Sequence, residues 1–299
     1  MSNLKCKICN SSNVEYRGKP RENTNFPITG SDYNIICCKD CVFYSLDRKI
    51  DVNQLQWKKL YETDYFANNN STEWQQALHA KEVENRLNEI ESCCPSERGN
   101  FLDLGCGQGL VLSAASERGF VSYGLDIADN VDKVARESAK DLFIGNLFEA
   151  SYSDDFFSVI YIDSVLEHVD EPIALLQEVY RILAPGGVLF IVVPNENSLI
   201  NDIRKLLYTL AFKSNKFGEI KPFVSPYHIN GFTPSSLKYA LECVQFNHLR
   251  SSQFSGNYHF WKGYKKFSKL YFLSLFLYPF RLFSILITRQ EQLMVLYSK

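Results

Sequence analysis

Four cysteines near the start of the chain fall into two pairs, Cys6-x-x-Cys9 and Cys38-x-x-Cys41, separated by 28 residues. Each pair can form a tight knuckle that aims two thiolates at one ion, so the two together offer a tetrahedral set for zinc. Cys37 adjoins Cys38, and the spacing leaves open which of the two ligates, although Cys38 gives the two-residue gap. Four thiolates leave no vacancy on the metal, which makes the expected zinc structural and not catalytic.

A second group is the run Asp103-Leu104-Gly105-Cys106-Gly107-Gln108-Gly109. It falls between an apolar run that reads as a strand and a stretch that reads as a helix, where an open α/β sheet places its ligand crevice. Glycines let the backbone approach a ligand, and the helix start presents free amides. A dinucleotide loop wants a third glycine where Leu110 stands, so a pyrophosphate is disfavoured and adenosine with an amino-acid tail fits better. Asp126 follows Gly105 by 21 residues, with Ile127 beside it. At the end of the next apolar run a carboxylate can accept both hydroxyls of a ribose. The alternative reading is a helix-start signal in Asp126-Ile127-Ala128-Asp129-Asn130.

Positioning those residues requires particular elements. Residues 1–48 lack helical periodicity and hold too few apolar residues for a core, which fits a short-stranded module organised by metal. Residues 49–95 turn helical, with Val83, Leu87 and Ile90 at helix spacing. From 96 to 299 short apolar runs alternate with helical stretches, which predicts a doubly wound, seven-stranded, mostly parallel sheet covered by helices on both faces. Gly119 is placed for a left-handed helix end. Residues 211–234, which contain Pro222, Pro226 and Pro234, lose pattern and read as a mobile lid.

With 32 basic against 34 acidic residues and a net charge of −2, the chain lacks the overall electrostatic footprint of a nucleic-acid binder. DNA is excluded as a partner, and RNA is disfavoured. The polar, cysteine-bearing start has no secretory pattern. Thiols of this spacing belong to a reducing compartment, so the expected location is the cytoplasm.

The segments FLDLGCGQG, YGLD, SVIYIDSVLEHVDEP and APGGVLFIVVPN, in that order and spacing, resemble the class I S-adenosylmethionine-dependent methyltransferases over about residues 55–299. The resemblance implies S-adenosylmethionine as cofactor. In its terms Asp103 and Gly105 face the methionine end, with Cys106, Gly107 and Gly109 completing the loop. Asp126 and Ile127 then hold the ribose, Asn146 and Leu147 the adenine edge, and Asp163 the strand end beside the methyl group. Where the family often has Gly-Asp this chain has Gly145-Asn146, and an amide can both donate to and accept from adenine. The cysteine module ahead of WKKLYETDYF resembles the zinc-ribbon prefix of methyltransferases that modify sugars and polysaccharides. Val42 stands after Cys41, where such knuckles commonly have glycine.

Methyl transfer to a hydroxyl calls for positioning and a base. His168, in Leu166-Glu167-His168-Val169, and His228, in Tyr227-His228-Ile229-Asn230, are the candidates. His228 reads as the base, and His168 alternatively as a helix-start hydrogen-bonding group. The expected function is O-methylation of a sugar, nucleotide sugar or lipid-linked glycan; the alternatives are an RNA methyltransferase and an inactive cofactor-fold scaffold.

One segment stands apart. Residues 264–289 are strongly apolar, and Leu270 to Thr288 approach the length of a membrane span, but Pro279 and Arg281 interrupt them. The leading expectation is a buried helix pair or homodimer surface. The alternative is an interfacial helix with Lys265, Lys266 and Lys269 at lipid headgroups, which would make the protein peripheral to the inner face of the membrane.

Overall fold

A computed structural model of the chain describes residues 4–20, 33–50, 73–94, 98–211, 228–255 and 266–299. Of the stretch expected to be helical, residues 51–72 lie outside the described residues, as does most of the expected lid.

The apolar runs beyond Asn100 become strands because each is bounded by a glycine, polar turn or helix start. They are β4 (Asn100–Leu104), β5 (Val121–Asp126), β6 (Asp141–Ile144), β7 (Phe157–Asp163), β8 (Leu183–Pro194), β10 (Asn247–Phe254) and β11 (Gln292–Ser298). They form one seven-stranded sheet in the order β10-β11-β8-β7-β4-β5-β6. The β4–β5, β4–β7, β5–β6 and β7–β8 pairings are parallel, whereas β11 runs antiparallel to β8 and β10 antiparallel to β11. This is the doubly wound, mostly parallel sheet that the alternation predicts. The order reverses direction at β4, whose neighbours are β5 on one side and β7 on the other, so a crevice opens at the carboxyl ends of those strands.

Both faces of the sheet are covered. On one, Val83, Leu87 and Ile90 of α1 (Glu73–Glu91) pack with Phe101, Tyr161 and Phe190. Beside them runs α2 (Leu110–Glu117), which ends at Gly119, in the left-handed conformation at φ 85°. On the other face Leu102, Ile160 and Ile191 meet α5 (Pro172–Ile182) and α7 (Pro234–Cys243). The short helices α3 (Lys133–Ser138) and α4 (Leu147–Ala150) fill the turns after β5 and β6.

The cysteine-bearing segment makes β1 (Val14–Gly18), β2 (Ile35–Cys38) and β3 (Tyr44–Leu46). Their sheet is completed by β9 (Asn230–Gly231), which pairs antiparallel with β3. Phe43 stacks edge-on against Phe232 at 5.1 Å, and the Thr233 hydroxyl donates to the Val42 carbonyl at 3.1 Å. Cys6, Cys38, Cys41 and Phe43 share one apolar cluster with the α/β layer.

Two expectations change here. Of the segment expected as a lid, residues 228–234 are held in place, with Ile229, Asn230 and Phe232 all buried. Pairing with β3 satisfies its backbone. The apolar C-terminal segment is not a buried helix pair. It is a single helix, α8 (Lys269–Leu286), that packs beside α6 (Leu199–Leu210) and continues through Pro279. Most of its apolar side chains are exposed. Cys243, at the end of α7, is exposed.

Candidate functional site

The glycine loop leaves β4 at Leu104 and reaches α2 at Leu110. Gly105, Gly107 and Gly109 all take positive φ, at 83°, 51° and 88°. Two of these positions also lack room for a side chain: a Cβ on Gly105 would come within 2.5 Å of Val165, and one on Gly109 within 2.4 Å of Ala135. The loop is therefore drawn tightly over the strand ends. Gly105 and Cys106 both donate to the Leu125 carbonyl, at 2.7 and 3.1 Å.

Asp126, at the end of β5, braces this loop. Its Oδ2 accepts the Gly107 N–H at 2.9 Å and its Oδ1 accepts the Ala128 N–H at 3.0 Å. Burial pushes its carboxyl up, and the backbone donors partly offset that. Each oxygen keeps a second lone pair for a ligand hydroxyl. Ile127 next to it is half-buried.

Asn146 caps α4. Its Oδ1 accepts from the Glu149 N–H at 3.1 Å, while its own N–H donates to Glu149 Oε2 at 3.0 Å. The side-chain oxygen is therefore engaged in the helix start, and the amide nitrogen is the atom left to read a ligand edge. Leu147 is buried beneath it.

Asp103 is buried within β4. Burial, with Asp163 and Asp126 nearby, pushes its carboxyl well above the ordinary range. Asp163, at the end of β7, is ion-paired to Arg86 of α1, and Arg86 also donates to the Tyr161 hydroxyl at 2.7 Å. Burial works against the Arg86 charge, and Asp163 and Tyr161 more than offset it. The sequence reading missed Arg86, which lies on a helix whose apolar stripe was its only evident signal.

Beyond β7 a short 3-10 turn, Leu166–His168, carries His168, and the ring of His228 lies edge-on to it with centroids 4.8 Å apart. Backbone and side-chain bonds stitch the two segments together. Ile229 N–H donates to the Glu167 carbonyl at 2.8 Å, and the Asn230 side-chain amide donates to the carbonyls of Leu166 at 3.1 Å and Val169 at 2.5 Å. Glu167 is fully buried, with neither carboxylate oxygen hydrogen-bonded among the described residues, and burial pushes its carboxyl up to about 8. Glu167, His168 and His228 bring one ligand atom each within 4.8 Å of one another. Such a group can move a proton or hold a divalent cation. Glu167 was not singled out in the sequence, although it adjoins the candidate His168.

The sulfurs of Cys6, Cys9, Cys38 and Cys41 all lie within 4.8 Å of one another. Cys6 meets Cys41 at 3.5 Å and Cys9 meets Cys38 at 3.5 Å. Cys38, not Cys37, joins the cluster. Residues after each second cysteine take the left-handed conformation, Asn10 at φ 58° and Val42 at φ 58°. Asn10 N–H donates back to Cys6 at 2.9 Å and Val42 N–H to Cys38 at 3.0 Å.

Comparison with known proteins places this architecture. A family described as "Methyltransferase domain" matches residues 72–251, more than half of the chain. A ubiquinone biosynthesis O-methyltransferase of Idiomarina loihiensis is 30% identical over 157 residues, covering 50% of this chain and 63% of that protein. The match therefore spans less than two thirds of that relative. Two solved structures share the fold: a SAM-dependent methyltransferase from Archaeoglobus fulgidus, with TM-score 0.52 and 19% identity over 79% of this chain and 100% of its own, and the magnesium protoporphyrin IX methyltransferase of Synechocystis, with TM-score 0.54 and 12% identity over 83% and 100%. With the glycine loop over the strand ends and a matching family model over the same sheet, the chain belongs to the methyltransferase-domain family.

Proposed function

We propose that this chain is an S-adenosylmethionine-dependent methyltransferase that acts on an acceptor hydroxyl, with the loop from Gly105 to Gly109 and Asp126 holding the cofactor and His228 serving as the base. The observation that carries this reading is the meeting of His168 and His228 just past the end of β7. Bound S-adenosylmethionine supplies an electrophilic methyl group on a sulfonium sulfur. The protein's part is orientation and proton handling. Asp126, already aligned by Gly107 and Ala128, accepts the two ribose hydroxyls; Asn146 donates to the adenine edge above Leu147. Asp103, Gly105, Cys106 and Asp163 border the methionine end. His228 takes the acceptor proton, and His168 and Asn230 fix the ring and backbone around it.

The four clustered cysteines fit zinc. A tetrahedral ion with Zn–S bonds of about 2.3 Å spaces its sulfurs by about 3.8 Å, close to the separations in the two pairs. The donor set is closed, so the ion would be structural, organising residues 1–48 as a ribbon-like module ahead of a connector at 49–95 and the cofactor domain at 96–299.

The acceptor class follows from the ribbon-prefixed architecture: a hydroxyl of a sugar, nucleotide sugar or lipid-linked glycan. The relatives' names favour a second arm, a hydroxyl of a ubiquinone precursor. The test is transfer from methyl-labelled cofactor to a panel of nucleotide sugars, lipid-linked glycans, ubiquinone precursors and RNA. Label in an O-methyl sugar supports the reading, and label only in a ubiquinone precursor moves the acceptor to the second arm. Label only in RNA overturns both proposed acceptor classes, and cofactor binding with no O-methyl product at all overturns the hydroxyl reading.

A further inference from the structure

Helix α8 is turned inside out. Among the described residues, those it buries are Ser274, Leu277 and Ser284; they lie with Arg281 on one stripe at helical spacing, three of these four being polar or charged, beside half-buried Tyr271 and Tyr278. Arg281 is anchored by Glu291 at 2.7 Å, while the two serine hydroxyls donate to their own helix backbone, at 2.6 Å each. The solvent side carries the apolar residues. Phe272, Leu273, Leu275 and Phe276 are exposed on the first half, and Leu282, Phe283, Ile285 and Leu286 on the second. Adjacent α6 adds exposed Leu206 and Leu210. A helix against a protein core normally buries its apolar stripe and wets its polar one, so this inversion means that something apolar covers the outer face.

The charge around the helix says what kind of surface that is. From Gly256 to Gln290 the sequence holds six basic residues, Lys262, Lys265, Lys266, Lys269, Arg281 and Arg289, and no Asp or Glu, within a chain whose net charge is −2. Lys266 and Lys269 are exposed at the start of α8, next to Phe267, which is 79% exposed. Pairing two copies of this face would bring like charges together, because a two-fold contact sets the same patch against itself. A bilayer surface with anionic headgroups satisfies both features: acyl chains take the aromatic and aliphatic side chains, and headgroups take the lysines. No helix among the described residues is long and apolar enough to cross a membrane, so the contact is a docking along the interface.

We propose that α8 is an interfacial helix that docks the protein on an anionic lipid bilayer, with Phe272, Phe276 and Phe283 inserted and Lys266 and Lys269 at the headgroups. The test uses the full chain and vesicles of phosphatidylcholine alone or with phosphatidylglycerol. Sedimentation with the anionic vesicles is expected at low salt, with binding reduced about tenfold or more in F272D/F276D/F283D and likewise about tenfold or more in K266E/K269E, since lysines near the surface are drawn to anionic headgroups. A tryptophan placed at 276 should shift its emission to the blue on adding those vesicles. Cofactor affinity and circular dichroism of each variant report that the α/β layer is intact. Failure of the native protein to sediment, equal sedimentation of the triple-Asp variant, or a dimer in light scattering that the triple-Asp variant abolishes without any vesicle binding would overturn the proposal; the last outcome assigns the face to a second copy.

Discussion

Tyr44 of β3 is paired with Gly231 of β9, so the sheet flanked by the clustered cysteines ends on the strand that begins two residues after His228. Leu46 N–H also donates to the Ile229 carbonyl at 3.0 Å. The segment that follows His228 is thus tied on one side to the His168 turn, through Ile229 and Asn230, and on the other to the sheet that carries the cysteine knuckles.

Removing the metal should then be felt at the transfer step. Purified protein is expected to carry one zinc per chain by elemental analysis, and chelation should release β3 from β9 while leaving the glycine loop intact. Turnover should fall about a hundredfold, the scale of a base displaced by an ångström or so, while calorimetric cofactor affinity stays nearly constant. Cys38→Ser should act the same way. Metal-free protein with full turnover would break the link between the cysteines and the site.

Asp126 offers the sharpest test of cofactor binding, since it braces the loop through Gly107 and also faces the proposed ribose position. Asp126→Ala should weaken S-adenosylmethionine binding by about 2 kcal/mol or more, the cost of losing charge-assisted hydrogen bonds. Unchanged affinity in a folded variant would remove the ribose assignment.

For the histidines, His228→Ala should lower turnover by about a hundredfold to ten-thousandfold, the usual contribution of a general base. Cofactor affinity should barely move, and the acid limb of the pH-rate profile should disappear. If His168→Ala abolishes that limb and His228→Ala leaves it, the two exchange roles.

Much of this site is legible in the sequence because its signals are local. The glycine loop is a strand, a turn and a helix start within a dozen or so residues, and Asp126 closes the next strand, so periodicity and spacing locate both. The cysteine knuckles are local too. What the sequence could not disclose depends on long-range packing. Arg86 meets Asp163 only because α1 lies across β7. β9 is two residues long and has no periodicity of its own, so a strand partner for Tyr44 was hidden inside an apparent lid. Apolar composition marked α8 as a helix without indicating which side would be wet.

Val42 shows a local strain that a single substitution can relieve. It is β-branched yet sits at φ 58° in the turn after Cys41, where an L-residue pays about 1–2 kcal/mol and glycine pays less, offset by about 0.5–1 kcal/mol of extra chain entropy. Val42→Gly should raise stability by about 0.5–1 kcal/mol, read as a higher denaturant midpoint with an unchanged slope. The hydrogen bonds of this residue use its backbone and survive the change. A lower midpoint would mean that the valine side chain contributes packing that outweighs the strain.

Glu196 predicts a pH dependence of stability. It is buried just past β8, and burial pushes its carboxyl up to about 8 despite the opposing pull of Lys205. One of its oxygens, Oε1, has no hydrogen-bond partner among the described residues. The folded protein therefore holds the proton across a range in which the unfolded chain, with an ordinary carboxyl near 4.5, has lost it. Native protein binds more protons than unfolded protein in that window, so this group's contribution is fully present below about pH 4.5 and is lost as pH rises toward about 8. The slope from one such group is at most about 1.4 kcal/mol per pH unit. Glu167, also pushed up to about 8 by burial, adds in the same direction. Glu196→Gln stays neutral throughout, so its stability relative to the native protein should rise between pH 5 and 8, and chemical denaturation at several pH values reads that difference with the other titrating groups cancelled. Parallel curves for the two proteins would show that Glu196 is already ionised in the fold, with a cation or solvent at the oxygen that now lacks a partner.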